Sequence, residues 1–149
     1  MRIAVAADHR GFPHKAPLIR ALAEDGHETL DLGTSSTEPV DYPDSARTVG
    51  AAIREGRADL GVLICGSGAG VSIAANNLRG IRAALCHDLF TARQAREDDD
   101  ANVLCLGARV VGVDLAIALA RAFVHARFSG APRHARRLAK VLELESSGA

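Results

Sequence analysis

Aromatic residues are scarce: they fill 3% of the 149 positions, so the interior has to be built from aliphatic side chains, as in many α/β proteins. No apolar run approaches the ~20 residues needed to span a bilayer, and Met1-Arg2-Ile3-Ala4-Val5 lacks the apolar stretch of a secretion signal. These absences argue against a membrane partner and predict a cytoplasmic protein. An excess of either charge is also missing. Eighteen basic and 18 acidic residues give a formal charge of +0, so no global field draws nucleic acid or an anionic membrane, and any anion site must be local. Cys65, Cys86 and Cys105 show no CxxC spacing, which predicts free thiols, with neither a disulfide framework nor a metal site. No linker, repeat or low-complexity segment divides the chain, so residues 1–149 are expected to form one domain.

What is present is an alternation. Short apolar runs at 2–7, 27–32, 59–64, 81–86 and 102–106 read as strands. Helical spacing occupies 12–24, 44–55, 70–76, 89–96 and 113–128, and Pro132 opens a last helix to about Glu145. Gly26 stops the first helix, and only 146–149 reads as a frayed end. The alternation predicts an α/β fold: a Rossmann-like, doubly wound domain with a five-stranded parallel sheet and helices on both faces. Ligands of such sheets collect beyond the carboxyl ends of the strands. That draws attention to Asp8-His9, to Cys65-Gly66-Ser67-Gly68, to His87-Asp88 and to Gly107-Ala108-Arg109.

Gly66, Gly68 and Gly70 let the backbone approach a ligand, and the helix that follows presents unpaired N–H groups to negative charge. A dinucleotide fingerprint is not satisfied, because Val71 stands where a third glycine would be needed, and no GxxxxGK[ST] loop occurs. Cys65, at the junction of strand and helix, has two readings. A helix N-terminus can lower a thiol pKa and make the thiolate a base, yet free cysteines often simply fill space. Cys86 and Cys105 lie within apolar runs and read as packing.

The segments DHRGF (8–12), DYP (41–43), ICGSGAGVSIAANN (64–77), GIRAAL (80–85) and NVLCLGARVVG (102–112) together resemble the ribose-5-phosphate isomerase B family, which also contains galactose-6-phosphate isomerase subunits. The resemblance runs nearly end to end. It implies a cofactor-independent aldose–ketose isomerase of phosphorylated sugars, with ribose 5-phosphate and ribulose 5-phosphate as the leading pair. It also implies homodimers or dimers of dimers with sites shared between subunits. Cys65 would then move the proton between C1 and C2, while Ser67 and the amides of Gly66, Gly68 and Gly70 stabilise the enediolate oxygen. His9, Arg109, Arg133 and Arg137 would hold the phosphate, Asp8 the sugar hydroxyls, and Tyr42 would line the pocket. Arg109 and the 96–99 region would serve a neighbour's Cys65. From spacing alone, Arg136-Arg137 reads as a solvated surface, as most such pairs do. His14, His27, His125 and His134 receive no catalytic role, although His134 stands beside Arg133.

One stretch departs from the pattern. Family members acting on ribose 5-phosphate usually carry His-Asn before the NVL strand, where the histidine opens the furanose ring; here Asp98 and Asp99 stand in those positions, the second a further substrate contact by the resemblance. Asp98 could transfer the proton itself. Alternatively, the substrate could be a tetrose phosphate, which cannot close a furanose. The cluster Asp98-Asp99-Asp100 could also be a solvated helix end. A binding module without catalysis, or a flavin-binding fold, are the readings from outside the isomerase class.

Overall fold

The computed structural model describes residues 1–148. Five strands, β1 (Arg2–Ala7), β2 (Glu28–Gly33), β3 (Leu60–Cys65), β4 (Ala83–Leu85) and β5 (Val103–Gly107), form one parallel sheet in the order β2-β1-β3-β5-β4. Six helices accompany them: α1 (Phe12–Glu24), α2 (Tyr42–Arg54), α3 (Ala69–Asn76), α4 (Leu89–Asp99), α5 (Val113–His125) and α6 (Pro132–Ser147). Alternation along the strands creates two cores. Ile3, Val5, Val62, Ile64, Leu104 and Leu106 pack beneath α1, α4 and α5, around the fully buried Phe123. Ala4, Ala6, Leu63, Cys65, Val103 and Cys105 face α2 and α3. The three central strands are buried on both faces, as their unbroken apolar runs require.

Helix ends follow local chemistry. Past α1, Gly26 takes φ +89°, its N–H donates to Ala23 and that of His27 to Leu22. Gly56, at φ +70°, closes α2 in the same way, with bonds to Ile53 and, from Arg57, to Ala52. Several boundaries differ from the sequence reading. Helix α2 begins at Tyr42 rather than Asp44, because Pro43 fits the first turn, where no N–H is needed. Helix α5 ends at His125, three residues before Phe128: Ala126 is extended, and the Ser129 N–H is drawn to the Glu97 carbonyl at the end of α4. Strand β4 shrinks to three residues at the sheet edge, with the Asn76 side chain bonded to both the N–H and the C=O of Ala83. Helix α6 continues through Ser147, past the expected fraying point; of the expected frayed residues only Ala149 lies outside the described ones. Among the described residues no helix is long and apolar enough to cross a membrane.

Candidate active site

Strand β1 delivers Asp8 to the carboxyl edge of the sheet. Its N–H donates to the Ile64 carbonyl at 3.1 Å, and its Oδ1 accepts the N–H groups of Arg10 and Gly11 at 2.9 and 3.0 Å. This turn presses Gly11 against the Ile64 backbone so closely that no Cβ could fit. His9 accepts the Val40 N–H on Nδ1 at 3.1 Å, so in this neutral form its own proton sits on Nε2.

Strand β3 ends at Cys65, whose Sγ accepts the Gly68 N–H at 3.1 Å. Gly68 needs its positive φ of +82°, and a side chain there would collide with Leu106 and Gly107. Its amide therefore serves the sulfur rather than a substrate oxygen, which narrows the donor set expected from Gly66, Gly68 and Gly70. The first turn of α3 supplies other N–H groups without intrahelical partners. Ser67 is exposed, and its Oγ accepts the Ala69 N–H at 3.3 Å. Tyr42 covers Gly70: a Cβ on that glycine would lie 2.9–3.0 Å from the phenol ring. A strap from β5 completes the wall, with Ala108 and Arg109 donating their N–H groups to the carbonyls of Cys65 and Gly66 at 2.8 and 3.0 Å.

These pieces enclose an open cleft of about 590 Å³. It lies where β1 and β3 send their connections in opposite directions, the place where open α/β sheets bind ligands. Asp8, His9, Tyr42, Cys65, Gly66, Ser67, Gly70 and Arg109 all line it. Cys65 is only 4% exposed, yet it is not sealed off. Arg109 borders the cleft that holds the Cys65 of its own chain. Arg10, Val40, Asp41, Pro43 and Val110 also line the cleft without having been singled out. Their signal was present in the sequence, since all stand within two residues of positions that were.

Asp98, Asp99, Arg133 and Arg137 do not line this cleft. Asp98 Oδ2 accepts from Gln94 at 2.9 Å, and its Oδ1 lies 3.4 Å from Nδ1 of the buried His134, which also bonds Ser129 Oγ at 2.7 Å. Asp99 borders a separate groove of about 510 Å³ under the apolar residues of α6. Arg133 and Arg137 are exposed on α6. Within the acidic cluster only Asp99 is exposed, as the reading of a solvated helix end foresaw, while Asp98 and Asp100 are engaged by other side chains. Asp100, at φ 49°, pairs with Arg82 and Arg96, both at 3.0 Å, which offsets acids placed at the negative end of α4.

The other thiols behave as packing. Burial pushes the Cys86 thiol up to about 11, with Asp88 adding to it, and burial together with the neighbouring Cys65 and Cys86 raises that of Cys105 as well. Both stay protonated at neutral pH. His87 stands behind the cleft, accepting the Gly107 N–H on Nε2 at 3.0 Å. Among the described residues no group of three or more His, Cys, Asp and Glu side chains could hold a metal ion.

The sequence pattern of the ribose/galactose isomerase family matches residues 3–141. The chain belongs to that family. Among family relatives, ribose-5-phosphate isomerase B of Escherichia coli K12 is 42% identical over 144 residues, covering 97% of this chain and 96% of its own. The ribose-5-phosphate isomerase B structure from Clostridium thermocellum superimposes with a TM-score of 0.96 at 44% identity, covering 100% of both chains. That of Mycoplasma genitalium, solved with bound ribulose 5-phosphate, gives 0.92 at 39% identity over 97% of this chain and 96% of that one.

Proposed function

We propose that this isomerase interconverts ribose 5-phosphate and ribulose 5-phosphate through an enediol, with Cys65 as the base. The observation that carries the reading is a thiol at the floor of a cleft, with a main-chain N–H aimed at its sulfur and cations on the same walls. A proton α to a carbonyl leaves readily only when the developing oxyanion is stabilised. The C2 proton passes to Sγ as the C1 carbonyl oxygen takes up a proton to give the enediol. The O2 hydroxyl then gives up its proton as the C2=O bond forms and Sγ returns its proton to C1, an internal redox exchange that consumes no cofactor. The thiolate formed on Cys65 is held by the Gly68 N–H. Ser67 and the free amides of the first turn of α3 face the oxygen that gains charge, Asp8 and Tyr42 border the sugar, and His9 and Arg109 hold the phosphate. A cytoplasmic setting suits its three free cysteines.

We also infer a homodimer or a dimer of dimers. Ile73, Leu85, Leu89, Phe90 and Val110 leave 41–69% of their surface exposed, apolar area of the kind that a second copy covers. In such an assembly Asp98, Asp99, Arg133 and Arg137 of one copy would serve the cleft of another.

A substrate panel on the wild type and on Asp98→His tests the reaction. The expected result is preference for ribose 5-phosphate, with exchange of the C2 proton in D₂O. A kcat/KM far higher for a tetrulose phosphate would reassign the substrate, and a C2 proton neither exchanged with solvent nor transferred to C1 would leave only a binding module.

A further inference from the structure

We propose that Arg10 is a specificity-determining residue that, together with Arg109, forms a clamp of two guanidinium groups on the phosphate of the substrate. The inference rests on the isomerase reading of the cleft and adds a residue to it. Arg10 is placed by backbone geometry. Its N–H is tied to Asp8 Oδ1, and the next residue, Gly11, abuts the end of β3, so the side chain of Arg10 emerges directly beside Cys65-Gly66. Gly66 has no side chain in the way. A Cβ built there would lie 3.1 Å from Cδ of Arg10 and 3.8 Å from Cδ of Arg109, so the two arginine stems converge above one glycine.

Both line the cleft, and neither has a carboxylate within ion-pair distance among the described residues. Arg2, Arg82, Arg96 and Arg121, by contrast, each hold an aspartate at 2.7–3.0 Å. Two unneutralised guanidinium groups on one cleft wall repel each other unless an anion lies between them, and their planar forks suit the oxygens of a phosphate dianion. Asp8 lines the same cleft but is engaged at Oδ1 by backbone N–H groups, leaving it to the hydroxyl end of the sugar. With the reacting carbons at Cys65, the clamp selects open-chain sugars that carry a phosphate over those that do not.

The experiment compares wild type, Arg10→Ala and Arg10→Lys by steady-state kinetics, inhibition by inorganic phosphate and thermal melting. In Arg10→Ala, KM for ribose 5-phosphate and the inhibition constant of phosphate should both rise about tenfold, the loss of one charge-assisted contact. Its kcat should stay within about threefold and its Tm should match the wild type. Arg10→Lys should recover part of the loss, since it keeps the charge without the fork. Unchanged KM and phosphate inhibition in Arg10→Ala would overturn the clamp, as would a fall in kcat with KM constant. A wild type inactive on every phosphorylated sugar would sink the isomerase reading instead. Calorimetric titration with inorganic phosphate would then still decide the clamp: weaker binding by Arg10→Ala upholds it, and equal binding overturns it.

Discussion

Cys65 and Gly68 show how much chemistry a few atoms decide. The Gly68 N–H lies 3.1 Å from the sulfur only because that glycine adopts φ +82°. Removing the base should abolish most of the rate: Cys65→Ala is expected to lower kcat at least about a thousandfold, within the range for a lost general base, with Tm and phosphate inhibition nearly intact. Steady-state assay and loss of C2 deuterium exchange measure it. A second pair acts on stability rather than on reaction. His27 and His125 join through their Nε2 atoms at 3.1 Å, with the terminal ammonium 3.4 Å from His27 Nδ1 and the Asp25–Arg121 ion pair nearby. Burial and the adjacent positive groups hold His27 below its ordinary value of 6.5. A depressed histidine binds fewer protons folded than unfolded, so its contribution is complete above pH 6.5 and is lost as pH falls through the lower folded value. Tm should therefore drop on acidification below about pH 6.5, and His27→Gln should flatten that part of the profile.

Elements matter here through their ends. Strands β1, β3 and β5 finish at Ala7, Cys65 and Gly107, and each is followed at once by a residue or turn that builds the cleft. Gly107 is the tightest joint. A Cβ there would lie 2.5 Å from the Ser67 backbone, so Gly107→Ala must push the β5 strap away from the cysteine loop. The expected cost is about 1–3 kcal/mol in urea unfolding, with kcat/KM falling further than stability alone explains because Arg109 moves with the strap. The strand ends were legible in the sequence, since an apolar run that breaks into Asp-His or Cys-Gly-Ser-Gly announces its own boundary. The end of α5 was not. Residues 126–128 continue the helical pattern, and only the distant Glu97 carbonyl draws the chain away.

In the whole molecule, the residues read as one site fall into two groups. One lines the Cys65 cleft; the other, Asp98, Asp99, Arg133 and Arg137, gathers around α4 and α6. The proposed assembly, with its site shared between copies, would reconcile them. Mixing inactive Cys65→Ala with Arg137→Ala under conditions that exchange subunits should restore about a quarter of wild-type activity at low substrate, because half the dimers are hybrids and each hybrid has one intact site. No recovery, or a particle of single-chain mass in light scattering, would show that each chain works alone.

The sequence by itself determined the sheet, its two helical layers and the strand ends that carry chemistry, because hydrophobic periodicity and glycine placement are local properties written residue by residue. It also marked Cys65, Asp8 and Arg109 by position. The tertiary structure alone decided which of these residues meet: that Gly68 turns its amide to the sulfur, that Arg10 and Arg109 converge over Gly66, and that Asp98 joins His134 instead of the cleft. Such encounters depend on distances between segments far apart in the chain, and those distances exist only once the layers have packed.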